Sequence, residues 1–396
     1  MEKKIQQITK LDRLNFKGSI TGIHYKTKKP ISLIIDKGKI ASILEDRETI
    51  EQNRIITPGL VDIQVNGYAG YDFNKSGMDE KAWKNVIEKL ASVGVTTFYP
   101  TLITNSYDNL KTLFEQHTAI LVNNPMIGGF HLEGPYISPH DGPRGAHSAI
   151  HVRKPDWEEF CRLQDAASGM IKIVTISPEY SEAVSFTMSA VAAGVKVAIG
   201  HTAATSEQID RVVTAGASLS THLGNGSHAT LPRHHNYIWD QLSDDRLFAS
   251  VIADGHHLPN NLLNVFQKIK RRKMMIVSDS VTLAGMPAGD YETEVGGYVT
   301  LTDKGLLHLK GNPKIFAGSA QHILHGINCL INRKICTFSE AIEKACLLPS
   351  AFMGSKEKKG VKVGALADIV VMKRTDDGLC VLETYKKGIL VYKRTP

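Results

Sequence analysis

The chain has 396 residues, 42% hydrophobic and 22% charged with both signs mixed, which excludes a disordered polymer and allows a sizeable buried core. Its apolar stretches, such as Met274 to Val277, fall far short of the roughly 20 residues that a spanning helix needs. Lys and Arg outnumber Asp and Glu by 47 to 40, a net charge of +7, and the basic clusters at Lys270 to Lys273 and Lys356 to Lys359 lack interleaved aromatics; this favours a solvated surface over a nucleic-acid groove and leaves a mild attraction for an anionic small substrate.

The five cysteines, Cys161, Cys329, Cys336, Cys346 and Cys380, include no CxxC pair and read as reduced packing residues. The start, MEKKIQQITK, is charged and is followed by no apolar h-region, so the expected compartment is the cytoplasm.

In chain order, residues 17 to 56 show short β-type runs separated by turns, as in Ile31 to Ile35, Asp36-Lys37-Gly38 and Ile40 to Leu44. The C-terminal segment repeats the style at Ile369 to Met372, Cys380 to Thr384 and Ile389 to Tyr392, with turns at Asp376-Asp377-Gly378 and Lys386-Lys387-Gly388. The two ends, 1–56 and 357–396, are expected to pair into a small β-sandwich domain.

Between them, over 57–356, apolar β-branched runs alternate with amphipathic helical stretches. Eight runs are counted: Leu60 to Val65, Thr96 to Leu102, Ile127 to Leu132, Ile171 to Ile176, Lys196 to Gly200, Ala217 to Thr221, Phe248 to Ala253 and Met274 to Val277. Helices are expected at Asp79 to Val93, at Tyr107 to Val122 and after Thr205, where Thr205 and Gln208 have capping-box spacing. Eight βα repeats predict an α/β fold, a closed (β/α)8 TIM-type barrel. An inserted hairpin is expected at about 290 to 311, around Asp303-Lys304-Gly305.

In such a barrel the chemistry gathers at the C-terminal ends of the strands. Run one ends in Gln64 and Asn66, run three in His131 and Glu133, run four in Ser177 and Glu179, and runs five and six in His201 and His222. Asp254, His256 and His257 follow run seven, and Asp279 follows run eight. Glu133, His201 and His222 form a ligand set suited to a divalent transition metal with an open position for water. Asp279 is then the natural general base and general acid for hydrolysis. A lone histidine would more often be a hydrogen-bonded structural residue; convergence from several strands reverses that balance.

The stretches PGLVDIQVNGYAG, GFHLEGPYISP, GHTAAT, THLGNG, IADGHH and VSDSVTLAG, with AGSA at 317 to 320, resemble the amidohydrolase superfamily, in particular its N-acetylglucosamine-6-phosphate deacetylase branch. HLEGP is the most specific element, because it supplies Glu133 where many relatives use a carbamylated lysine. The resemblance implies a metal-dependent hydrolase of linear amide C–N bonds, releasing acetate from N-acetylglucosamine 6-phosphate, with Glu133, His201 and His222 as metal ligands and Asp279 as acid/base. It further implies that His147, in PRGAH, polarises the acetyl carbonyl, and that His257 touches the sugar or its phosphate. By the same resemblance Asn225 and Gly226 contact the phosphate, and Arg233 reaches it from the neighbouring subunit of a homodimer.

Two departures stand out. Gln64-Val65-Asn66 replaces the His-x-His that holds a second metal in many amidohydrolases; amides are poor ligands, so this vestigial position predicts one divalent ion per chain, zinc first, with iron or another ion as alternatives. The loop GNGSHATLPRHHNYIWDQL is rich in His and aromatic residues. Its His228, His234, His235 and Trp239 suit an unphosphorylated N-acetylhexosamine equally well, so that substrate, or another N-acyl compound, stays open. A catalytically silent barrel used as a scaffold is the alternative of another class. A cyclic-amide hydrolase is disfavoured, since Lys172 sits at the wrong end of its run.

Overall fold

The computed structural model describes residues 17–45, 53–293, 297–355 and 359–395. The MEKKIQQITK start, the boundary between 356 and 357 and most of the Lys356 run therefore lie outside the described residues.

Eight parallel strands form one sheet: β1 (Leu60–Val65), β2 (Val95–Ile103), β3 (Phe130–Glu133), β4 (Ile171–Ile176), β5 (Lys196–Ile199), β6 (Leu219–Ser220), β7 (Phe248–Ile252) and β8 (Met274–Val277). Each neighbours the next in chain order. Buried residues line both faces, as in β1, where all six residues are buried, the pattern expected of strands packed between a barrel interior and outer helices. Three runs match their expected bounds; β6 is shorter than Ala217 to Thr221, and β3 begins at Phe130, since Ile127 makes only an isolated bridge, to Phe98.

The seam between β8 and β1 is closed differently from the rest. A lone bridge joins Val65 to Ser280, Asp279 N–H donates to the Gln64 carbonyl at 3.0 Å and Asn66 N–H to the Ser280 carbonyl at 2.8 Å. Below them the buried Asp62 carboxylate accepts from Ser278 N–H at 3.2 and 3.3 Å. A side chain of β1 thus substitutes for missing ladder bonds beside Asp279.

The helices carry the local signals that start them. Ser106 caps Tyr107–Leu121, Asp156 caps Trp157–Ala166, and Thr205 with Gln208 forms both halves of the capping box on Ser206–Thr214. The insertion after β8 is larger than a hairpin: Gly289–Thr293, Gly297–Leu301, Leu307–Leu309 and Asn312–Phe316 make a four-stranded sheet over a small core of Leu283, Val299, Leu301 and Leu307.

The chain divides into two compact units. The first comprises Met1–Val61, Leu90–Thr96 and Phe338–Pro396. In it, strands from both chain ends join one seven-stranded sheet, in which Ile55–Pro58 pairs antiparallel with Ile369–Thr375 and parallel with Lys17–His24. A buried Lys386–Asp368 ion pair at 2.6 Å lies within this unit. The second unit, Asp62–Lys89 and Thr97–Thr337, holds every residue of the candidate site.

Candidate active site

Period-two alternation places Asp62 and Gln64 on one face of β1, and His131 and Glu133 on one face of β3. Glu133 is 3% exposed. His222 Nε2 lies 2.8 Å from Glu133 Oε1 and 3.1 Å from His201 Nε2, and His201 Nε2 lies 3.3 Å from the same oxygen. Three donor atoms from three strand ends therefore meet at one point.

A divalent cation fits this set. Tetrahedral ligands with bonds of about 2.0–2.1 Å stand ~3.3 Å apart, close to these separations. His201 donates Nδ1–H to the Pro143 carbonyl at 2.8 Å, which turns the Nε2 lone pair toward the cluster. Among the described residues the buried His222 Nδ1 has no hydrogen-bond partner, so the contacts of Nε2 hold that ring. His147 joins them: Glu133, His147 and His201 each offer a ligand atom within 4.8 Å of the others. The His147 and His201 rings are 4.3 Å apart, and His147 Nδ1 pairs with Thr104 Oγ1 at 2.8 Å.

Burial pushes the Glu133 carboxyl up, but hydrogen bonds and charge from His201 and His222 outweigh it and hold it well below the usual range. Glu133 in turn raises His222 against the effect of burial. Burial and the neighbouring His201 depress His147 to about 3, so it is a neutral imidazole at neutral pH. Asp279 is pushed up to about 6 by burial and by the charge of Glu133. A raised carboxyl beside a depressed one is the arrangement that separates an acid/base from a ligand.

The backbone at these positions is unusual. His201, His222 and Asp279 have φ of +49°, +30° and +48°, a sparsely populated region for non-glycine residues that clusters at functional sites. Gly226, at φ +55°, lies so close to the His201 ring that a Cβ would fall 2.7 Å from Nδ1; only glycine lets the loop after β6 approach there.

Gln64 and Asn66 are wired into the cluster. Gln64 donates Nε2–H to Glu133 Oε1 at 2.9 Å, and Asn66 donates Nδ2–H to Asp279 Oδ1 at 2.7 Å. In sequence both look only like missing ligands. Glu179, which in sequence marks no more than the end of run four, accepts from Ser138 at 2.8 Å, from Thr202 at 3.0 Å, and from Ser177 and the Ala203 amide. That carboxylate ties the loops after β3, β4 and β5, the last of which carries His201.

The residues that the resemblance assigns to the phosphate are more dispersed. Asn225 donates Nδ2–H to the His222 carbonyl at 3.1 Å, and His257 is held by Asp254 at 2.7 Å. Arg233, His234, His235 and Trp239 are exposed, and the Arg233 carbonyl accepts from Trp239 Nε1 at 3.4 Å. His228 and His235 line a cleft of about 420 Å³ with Thr205, Ser206 and Tyr237. Glu133, His201, His222 and Asp279 do not line that cleft, so its size says nothing about the reaction.

Comparison with known proteins agrees with this geometry. The amidohydrolase family pattern matches residues 55–391. An N-acetylglucosamine-6-phosphate deacetylase of Bos taurus is 31% identical over 385 residues, covering 91% of this chain and 90% of that protein. An N-acetylgalactosamine-6-phosphate deacetylase of Escherichia coli is 27% identical, covering 90% and 94%. A variant of the N-acetyl-D-glucosamine-6-phosphate deacetylase of Mycobacterium smegmatis, solved in complex with N-acetyl-D-glucosamine-6-phosphate, superposes with a TM-score of 0.81 at 25% identity, covering 91% and 94%.

Proposed function

The chain belongs to the amidohydrolase family, and from that premise we propose that it hydrolyses the acetamide of N-acetylglucosamine 6-phosphate to glucosamine 6-phosphate and acetate. The observation that carries this reading is the meeting of Glu133, His201 and His222 within 3.3 Å, with a half-buried, upshifted Asp279 beside them, in a chain that spans nine-tenths of the bovine deacetylase. A scaffold would have no physical use for such buried ionisable groups.

In this reading Glu133, His201 and His222 hold one divalent ion, zinc first. When bound, the ion supplies Lewis acidity to the carbonyl and lowers the pKa of water. Asp279 takes the proton of the attacking water and then delivers it to the amide nitrogen as the C–N bond breaks. Asn66 occupies Oδ1 of Asp279, leaving Oδ2 for the proton. Gln64 steadies the Glu133 oxygen that faces both histidines. His147, neutral and accepting at Nδ1 from Thr104, presents Nε2–H to the acetyl oxygen as its charge develops.

Asn225 and Gly226 bind the substrate phosphate, His257 touches the sugar, and Arg233, exposed in its own chain, reaches the phosphate of a neighbouring subunit in a homodimer. A guanidinium suits a phosphate dianion because it donates in a fixed fork. The reaction is assigned to the cytoplasm, consistent with five free cysteines; no helix among the described residues is long and apolar enough to cross a membrane.

The test is product analysis with purified, metal-loaded protein and N-acetylglucosamine 6-phosphate. Acetate and free amine appearing in a one-to-one ratio, abolished by a chelator and restored by added metal, is the expected result. Absence of both products would remove the assignment.

A further inference from the structure

Two consecutive histidines follow β7, and they face different partners. His256 Nε2 pairs with the Lys304 carbonyl of the inserted sheet at 3.0 Å. His257 stands edge-on to Phe316, ring centroids 5.2 Å apart, and its Nε2 has no hydrogen-bond partner among the described residues. What separates them is Asp254, 5% exposed. Its Oδ1 accepts the backbone N–H of His256 at 2.9 Å and of His257 at 3.0 Å, while Oδ2 accepts Nδ1–H of His257 at 2.7 Å. One oxygen folds the turn and the other sets the ring.

The backbone beneath is fixed as well. His325 Nε2–H donates to the Asp254 carbonyl and Arg333 to the Gly255 carbonyl, both at 3.1 Å. Gly255 has φ +90°, and a Cβ there would fall 2.5 Å from the Arg333 guanidinium. Burial pushes the Asp254 carboxyl up, but the His257 hydrogen bond and charge outweigh it together with the two backbone donors and hold it below the usual carboxylate range. An ionised carboxylate can only accept, so the facing nitrogen must carry the proton.

We propose that Asp254 is a positioning residue for substrate recognition, holding His257 with its proton on Nδ1 and Nε2 turned to the substrate. This rests on the reading above, in which His257 touches the sugar: the unprotonated Nε2 accepts from a sugar hydroxyl and has no proton to give a phosphate oxygen. With the tautomer fixed in advance, no free energy is lost in selecting it when substrate arrives.

Asp254→Asn tests the idea, because the amide keeps an oxygen for the two backbone N–H groups but presents N–H to Nδ1 and forces the other tautomer. Nitrogen-15 NMR of histidine-labelled protein, with the His257 signals identified by their loss in His257→Gln, reads the tautomer without substrate. The expected wild-type spectrum has a protonated Nδ1. In Asp254→Asn the neutral ring carries its proton on Nε2, KM rises about tenfold or more with kcat within about threefold, and adding His257→Gln causes little further loss. A wild-type ring protonated only on Nε2 overturns the proposal, even if Asp254→Asn fails to fold. So does a flipped tautomer with KM unchanged. Failure of the substrate assignment shows separately, as absent acetate release by the wild-type enzyme.

Discussion

Asn66 donates its amide N–H to Oδ1 of Asp279 across the seam of the barrel, at 2.7 Å and 213 residues apart in sequence. The amide occupies a position where many amidohydrolases carry a histidine, and it presents a donor where a ligand would present a lone pair. Gln64 does the same to Glu133 at 2.9 Å. In the proposed reaction the pair therefore orients Asp279 and Glu133 without adding ligands of its own.

From this, well-washed active protein should hold one divalent ion per chain by elemental analysis. His222→Ala should lose it, whereas Asn66→Ala should retain it. Two stoichiometric ions in wild-type protein would mean that the amides had been misread.

Asp279→Asn should keep the fold and the metal but lower kcat by at least ~10²-fold, because an amide neither accepts the water proton nor returns one to the amine. Asn66→Ala should cost less, about tenfold, the worth of one hydrogen bond to a charged group. His147→Ala should also fall short of Asp279→Asn. Single-turnover rates on protein of matched metal content separate these effects from metal loss.

Asp62 gives a prediction in pH. Burial pushes its carboxyl up to about 7 from the ordinary 3.8. Between those values the folded chain binds a proton that the unfolded chain has lost, so this group's stabilising contribution is present below about 3.8 and declines as pH rises toward about 7. Asp62→Asn removes that decline. Its urea midpoint relative to wild type, measured on metal-free protein, should therefore improve from pH 4.5 to pH 8; a constant difference would show that Asp62 does not titrate in this window.

Arg233→Ala should raise KM for the 6-phosphate by roughly tenfold or more and leave turnover of the free sugar nearly unchanged, since a charge-assisted contact is worth ~1.5 to 3 kcal/mol. Sedimentation should show a dimer. Equal losses on both substrates would make Arg233 structural.

Much of this site could be read from the sequence because its chemistry lies in residue types placed at the ends of apolar runs: Glu133 ends its barrel strand, and His201, His222 and Asp279 follow theirs. The capping box at Thr205 was legible for a similar reason, being local in sequence. What stayed hidden acts across long separations or through the backbone. The Asn66–Asp279 and Gln64–Glu133 links need the barrel closed before they exist, and an amide in sequence looks like a lost ligand. Positive φ at His201, His222 and Asp279 has no marker when the residue is not glycine. The inserted sheet extends past the expected limit to Phe316, because Pro313 interrupts the strand pattern and hides an edge strand that tolerates it.

The most direct measurement compares kcat/KM for N-acetylglucosamine 6-phosphate, N-acetylgalactosamine 6-phosphate and free N-acetylglucosamine on the same metal-loaded preparation, following acetate release. The glucosamine phosphate should be the best substrate, ahead of the free sugar by about tenfold or more, the factor expected of a charge-assisted phosphate contact. A free sugar hydrolysed as well or better would contradict it, and would turn attention to His228, His234, His235 and Trp239 as the residues that read the substrate.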